Sequence, residues 1–268
     1  MSANDALLLV GHGSARYRDA GNILCRQVDR LRANGLFAQI EMGMLNGSPS
    51  VFDALSTIRS PLIRVVPFFM EDGYFNRIAI PRAIGAAIPG NGVVEVPWNS
   101  TATALAERAD RQRILLRPPV GTHDGMAGII ERQALAGCAQ LDVASRATAV
   151  LVIGHGSSTA PGRVLALHRH TARVASTGLF ARVEAACLEE APFVADTLSM
   201  LRAHPVVVIG FFANLGGHVR DDVPALIAAE RVARGATGRA VLFHGSVAED
   251  PAMTQIILDQ ALGDPEGK

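Results

Sequence analysis

The chain has 268 residues, 49% of them hydrophobic and 19% charged, with 25 basic residues balancing 25 acidic ones. Such a composition belongs to a globular chain able to bury a substantial core, and it excludes intrinsic disorder. A net charge of zero leaves no electrostatic footprint for nucleic acid or an anionic membrane surface, so neither is expected as a partner.

Ala6-Leu7-Leu8-Leu9-Val10 is an unbroken apolar run too short for a helix, and it reads as a strand buried on both faces. It stops at Gly11-His12-Gly13-Ser14. Leu24, Cys25, Val28 and Leu31 then recur at helical spacing up to Gly35, a helix stop. Phe37 to Met44 reads as a second strand, Val51 to Ile58 as a helix started near Ser48-Pro49, and Leu62 to Phe69 as a third strand. A loop follows, then a helix from about Ile80, a fourth strand at Val93 to Val96 and a helix from Thr101. Pro118-Pro119-Val120-Gly121 marks a linker, and Met126 to Leu141 reads as a helix of the junction or of the second half.

At Ala149-Val150-Leu151-Val152-Ile153-Gly154-His155-Gly156-Ser157 the opening pattern returns. His12 and His155 are 143 positions apart, and the same offset relates Gly35-Leu36-Phe37-Ala38 to Gly178-Leu179-Phe180-Ala181. It also relates Glu41 to Glu184, Leu45 to Leu188, Pro49 to Pro192, Phe68-Phe69 to Phe211-Phe212 and Pro81 to Pro224, without a gap. Register held that long is the mark of a duplicated structural unit. The second half should therefore carry its third strand at Pro205 to Phe212 and its fourth at Arg239 to Phe243.

Strands alternating with helices imply an α/β fold: two similar domains, each with a parallel sheet flanked by helices. The expected division is an N-terminal repeat at 1–120, a linker and junction helix at 121–146, and a C-terminal repeat at 147–268. Cys25, Cys138 and Cys187 form no C-x-x-C pair, which suits a reducing compartment and gives neither a disulfide framework nor a thiolate zinc site. No basic segment followed by a long apolar one opens the chain, and the apolar stretch from Pro205 to Leu215 is well short of the ~20 residues a membrane span needs. The expectation is a soluble, cytoplasmic protein with no membrane partner.

The halves differ where chemistry is expected. Carboxyl ends of strands are where open α/β sheets bind ligands. After the third strand the second half reads Gly216-Gly217-His218-Val219-Arg220-Asp221-Asp222, whereas the first places Phe75 at the position of His218 and keeps Gly73 and Arg77 opposite Gly216 and Arg220. Only the second half carries two strand-end histidines, His155 and His218, and they face a common cleft if the first and third strands are neighbours. Glu184, near the end of the second strand, is the carboxylate expected to join them, with Glu189 close by as an alternative. Two imidazoles and a carboxylate suit a first-row divalent ion such as iron, cobalt or nickel. They suit proton transfer equally, because imidazole titrates near neutrality.

Each of these residues also has a plainer reading. A strand-end histidine can merely cap its own loop, Glu184 can be an edge-strand carboxylate, and His12 opposite Phe75 reads as a relic or structural hydrogen-bonder. His168 and His170, on the helix after the motif, read as solvated; His244 is near the end of the fourth strand, and His123 and His204 look like linker and loop residues.

The strand-Gly-His-Gly-Ser opening, the strand ending in Phe-Phe before Gly-Gly-His-Val-Arg-Asp-Asp-Val-Pro, and the duplication resemble the CbiX/SirB sirohydrochlorin chelatases, in their duplicated long form. The resemblance runs from about Leu7 to Pro81 and from Val150 to Pro224. It implies the chelatase-like fold, with the tetrapyrrole between two α/β domains. It implies a lyase that inserts Fe2+ or Co2+ into sirohydrochlorin without ATP, for sirohaem or cobalamin synthesis. Nickel accepts the same ligands. No organic cofactor is implied, the metal being a substrate, and the chain is expected as a monomer or homodimer.

Carried over by position, His155 and His218 are the metal ligands and the bases that accept the pyrrole protons, with Glu184 the weaker match. Ser157, through its backbone N–H at a helix start, with Arg220, Gly216 and Gly217, is expected to meet the substrate carboxylates. The resemblance also implies a fuller histidine set in the first half, which Phe75 breaks, so the active site is expected in the second. The alternative is a non-catalytic metal or tetrapyrrole carrier of the same fold. A phosphate-handling enzyme fits poorly, since the chain has no G-x-x-x-x-G-K-[ST] loop.

Overall fold

The two central strands, β1 (Ala6–Gly11) and β6 (Ala149–Gly154), are buried at every residue, as their continuous apolar runs require. The computed structural model describes residues 4–13, 22–86, 104–107, 112–214, 216, 218–234 and 239–263. The described chain divides into two units, one formed by residues 1–123 with 251–268 and the other by 124–250.

In the first unit β1 leads to α1 (Asn22–Asn34), β2 (Gln39–Met44), α2 (Val51–Thr57) and β3 (Leu62–Pro67). A π-helical turn at Phe75–Ala79 runs into α3 (Ile80–Ala86). Then come β4 (Ala104–Glu107) and β5 (Arg113–Leu116). The sheet order is β2-β1-β3-β5-β4, parallel except for β4, which pairs antiparallel with β5 along the edge.

This edge corrects one expectation. The helix predicted from Thr101 is absent from its described part, because Ala104–Glu107 is held in a backbone ladder opposite Arg113–Leu116. Ala-Leu-Ala-Glu favours a helix in isolation, and strand pairing overrides that weak preference. β5, not recognised from the sequence, supplies the fourth parallel strand beside β3. The strand expected at Val93–Val96 lies outside the described residues.

The second unit begins with α4 (Met126–Leu141) and continues through β6, α5 (Leu165–Ser176), β7 (Arg182–Cys187), α6 (Val194–Met200) and β8 (Val206–Gly210). A second π-helical turn, His218–Asp222, runs into α7 (Val223–Arg234), and β9 (Val241–Ser246) completes a parallel sheet of order β7-β6-β8-β9. The core repeats residue by residue. Leu8, Val10, Leu55, Ile58, Ile63, Val65, Ile80 and Ile84 recur at the same offset as Leu151, Ile153, Leu198, Leu201, Val206, Val208, Val223 and Ile227, all buried. Each such side chain contributes roughly 1.5–3 kcal/mol of transfer free energy. The two π-turns and the cis peptides Ser48–Pro49 and Ala191–Pro192 keep the offset too.

The last helix, α8 (Met253–Leu262), was expected with the C-terminal repeat at 147–268 but packs in the first unit, against α1 and β3. Arg117, just past β5, donates through Nε to the Gln260 carbonyl at 2.6 Å and through Nη2 to that of Gly263 at 2.6 Å. Arg64 on β3 donates to the Ala261 carbonyl at 3.0 Å. Two guanidinium groups thus satisfy carbonyls that a helix end leaves without partners, at the negative pole of its dipole. Correspondingly, α4 packs on α5, β8 and β9 in the second unit, so the expected junction at 121–146 is divided at His123 and Asp124.

Candidate metal site

β6 ends at Gly154, and the next two residues set the site. Gly156 has φ +73°, and a Cβ there would stand 2.8 Å from both Cys187 Cβ and Glu190 Cγ. Only glycine lets the strand-end turn lie this close to the end of β7. The His155 carbonyl accepts the Glu189 N–H at 2.9 Å, and the Phe211 N–H reaches the Ile153 carbonyl at 2.7 Å. His155 is thereby fixed between the ends of β7 and β8. Because β6 lies between those strands, this is the topological switch point of the sheet.

The imidazole of His155 has its Nδ1 3.0 Å from the Gly156 carbonyl oxygen. A carbonyl only accepts, so Nδ1 carries the proton, and in the neutral ring the lone pair is then on Nε2. Glu189 brings a carboxylate oxygen to 3.8 Å from the same Nδ1. The two side chains are 46% and 44% exposed, so both are reachable by a solute. His218 opens the π-helical turn that follows β8, the strand hydrogen-bonded beside β6. Single π-turns inside helices are frequent at functional sites.

The matched pair of positions in the first repeat is in contact. His12 and Phe75, which the offset maps onto His155 and His218, stand edge to face with ring centroids 4.7 Å apart. His12 repeats the tautomer of His155, its Nδ1 2.8 Å from the Gly13 carbonyl oxygen. Phe75 also stacks on Phe69 at 5.3 Å, so it belongs to an aromatic cluster at the sequence position that the second repeat gives to a histidine.

Several expected residues are placed elsewhere. Glu184 is not at a strand end: it is the third residue of β7, paired in register with Leu151, and its carboxylate is bonded to Arg182 at 2.6 Å. At ~3.3 Å per residue it lies about 10 Å short of the edge where His155 projects. Ser157 is not at a helix start, since α5 begins at Leu165, and its N–H is donated to Glu190 Oε1 at 3.2 Å. Arg220 is exposed on the π-turn, and Gly216 donates its N–H to Asn214 Oδ1 at 3.1 Å. Gly217 lies outside the described residues.

Among the remaining histidines, His170 is fully buried and packs 5.8 Å from Phe211, against the expectation of a solvated ring. His168 is exposed and His244 half-buried. His204 bonds the Ala147 carbonyl at 3.2 Å, and His123 lies 3.8 Å from Asp259. Glu190 was missed altogether. Its signal was present in the repeat, where Glu189-Glu190 stand opposite Asn46-Gly47. Among the described side chains, to which that of His218 does not belong, no three His, Cys, Asp or Glu gather as a metal site.

Two duplicated α/β units, each with a strand-end histidine, define a duplicated open-sheet fold of the kind that binds ligands at its strand ends. The CbiX family model matches residues 6–136 and again 149–262, and the chain belongs to that family. A protein of Halobacterium salinarum named "Probable sirohydrochlorin cobaltochelatase" is 25% identical, covering 96% of this chain and 90% of its own length. A multi-domain protein of Deinococcus radiodurans with structural similarity to chelatases superposes with TM-score 0.81 at 24% identity, over 99% of this chain. This chain spans 57% of that longer protein. SirB from Bacillus subtilis, solved with Fe3+, superposes with TM-score 0.71 at 18% identity, covering 96% of this chain and 93% of its own. No helix among the described residues is long and apolar enough to cross a membrane.

Proposed function

We propose that the chain is a sirohydrochlorin chelatase that inserts Fe2+ or Co2+ into the tetrapyrrole without ATP, in sirohaem or cobalamin synthesis, and that its second repeat holds the reaction site. The observation that carries this reading is the 4.7 Å contact of His12 with Phe75, because the duplication gives His155 and His218 the same two backbone positions. Two imidazoles at that separation have the reach to share one ion. Relatives named for cobalt and solved with iron support the metal class without choosing within it. Affinity order does not make that choice either.

Insertion exchanges one divalent ion for two pyrrole N–H protons, so a base must stand beside the metal. His155 offers the Nε2 lone pair, first to the ion and then to a leaving proton, and His218 takes the second position. Glu189, rather than Glu184, is the carboxylate that stabilises the imidazolium formed on His155. Arg220, exposed at the same turn, meets a carboxylate of the macrocycle. In the first repeat a phenyl ring neither ligates nor accepts a proton, so that half shapes binding without inserting metal.

The test is an anaerobic insertion assay with sirohydrochlorin against Fe2+, Co2+ and Ni2+ in parallel, followed by the visible spectrum of the macrocycle. The chelatase reading expects the metal-free bands to be replaced at a rate proportional to protein. A carrier binds the macrocycle yet leaves those bands in place, and that result would remove the enzyme assignment.

A further inference from the structure

Glu190 is 7% exposed, a burial seldom accepted by a carboxylate without strong partners. It has two. Oε1 accepts the Ser157 N–H at 3.2 Å, and Oε2 accepts the Gly162 N–H at 2.6 Å. Its Cγ also packs over Gly156, so that an added Cβ there would come within 2.8 Å. The N–H of Ser157 and the C=O of Gly156 belong to one peptide unit, and in a planar trans peptide they point in opposite directions. That same Gly156 oxygen receives the Nδ1–H of His155 at 3.0 Å. A carboxylate, a peptide and an imidazole are therefore joined in a line.

We propose that Glu190 is the positioning residue of His155, acting through the peptide between Gly156 and Ser157. Hydrogen bonds at the two ends of one peptide polarise each other, and a carboxylate acceptor strengthens the effect. Negative charge behind Ser157 makes the Gly156 oxygen a better acceptor, which holds the His155 proton on Nδ1 and the lone pair on Nε2. The second bond, to Gly162, pins the segment between Ser157 and Gly162 so that the peptide cannot turn over.

The first repeat isolates what the carboxylate adds. His12 bonds the Gly13 carbonyl at 2.8 Å with Gly47, which has no side chain, in the place of Glu190. The histidine bond thus forms in that repeat without a counterpart of Glu190. Glu190 itself belongs to the repeat with two strand-end histidines. This inference rests on His155 being the base of the proposed reaction, but its test does not require turnover.

The experiment is nitrogen-15 NMR of the histidine rings in the full chain, at alkaline pH where imidazole is neutral, with His155→Gln used to assign the signal. Wild-type protein is expected to hold His155 almost wholly as the Nδ1–H tautomer. Glu190→Gln supplies one acceptor oxygen where two are used, so it should shift the His155 ratio toward that of His12 and leave His12 unchanged. Glu190→Asp, which keeps the charge, should restore part of the bias. It also serves as the reading variant if the amide does not fold. In the insertion assay kcat should fall by about tenfold to a hundredfold in Glu190→Gln, as for other groups that orient a ligand from behind, with the KM for tetrapyrrole little changed. An unaltered His155 tautomer ratio in a folded Glu190 variant would overturn the proposal and leave Glu190 as a loop anchor. Wild-type protein without insertion activity but with the tautomer shift would instead sink the chelatase reading alone.

Discussion

The rings of His12 and Phe75 meet edge to face at 4.7 Å, in the places that His155 and His218 occupy one repeat later. At these two matched positions the sequence of the second repeat has two histidines where the first has a histidine and a phenylalanine. Phe75→His should give the first repeat its own metal site. Equilibrium titration with Co2+ is expected to show one additional bound ion in F75H relative to wild type. That ion should be lost again when His12→Ala is added to F75H.

The two candidate carboxylates are separated by what they touch. Glu184 is bonded to Arg182 in mid-strand, whereas Glu189 lies 3.8 Å from His155. Glu184→Gln should leave Co2+ affinity within about twofold, because exposed ion pairs of this kind contribute little. Glu189→Gln should weaken it by about tenfold or more, the usual range for a group beside a ligating histidine. Isothermal titration of both variants makes the comparison, and a larger loss in Glu184→Gln would restore the sequence-based assignment.

Glycine at 156 is required twice over, by its positive φ and by crowding. Gly156→Ala places a methyl 2.8 Å from Cys187 Cβ and Glu190 Cγ, on top of a left-handed conformation costing about 1–2 kcal/mol. Gly178→Ala is the control, since φ is +67° there with no atom within 4 Å of the added Cβ. Urea unfolding should show Gly178→Ala losing about 1 kcal/mol and Gly156→Ala clearly more. Only the latter should also slow insertion.

Arg117 and Arg64 tie the last helix to the first unit through three carbonyls. Arg117→Ala leaves the Gln260 and Gly263 carbonyls without that donor, which costs on the order of 1–3 kcal/mol for buried groups. Hydrogen exchange should then show lost protection concentrated in α8, α1 and β3, with α4 and β6 unaffected.

Most of the fold was legible because the duplication lets each half read the other. The strand at Ala6–Gly11 and its copy at Ala149–Gly154, the helix ending before Gly35, and the neighbouring third strand all follow from apolar runs and glycine stops. What escaped depended on partners distant in sequence. Ala104–Glu107 is a strand because Arg113–Leu116 lies opposite, and α8 packs on α1 and β3 of the first unit with Arg64 and Arg117 at its end. At the site the histidine motif was visible, since a strand ending in Gly-His-Gly is local information. Glu184 differs from its expected place by register, because Ala185, Ala186 and Cys187 of β7 stand between it and the strand end. Ser157 is not at the expected helix start, and its N–H goes to Glu190, a bond across 33 residues that no local pattern announces.

The most direct measurement is metal insertion by His218→Ala and His12→Ala, side by side with wild type and under identical substrate concentrations. His218→Ala is expected to lose about a hundredfold or more in rate, the usual contribution of a positioned base, while His12→Ala keeps most of the activity. Equal losses in the two variants, or a greater loss in His12→Ala, would contradict the placement of the reaction in the second repeat.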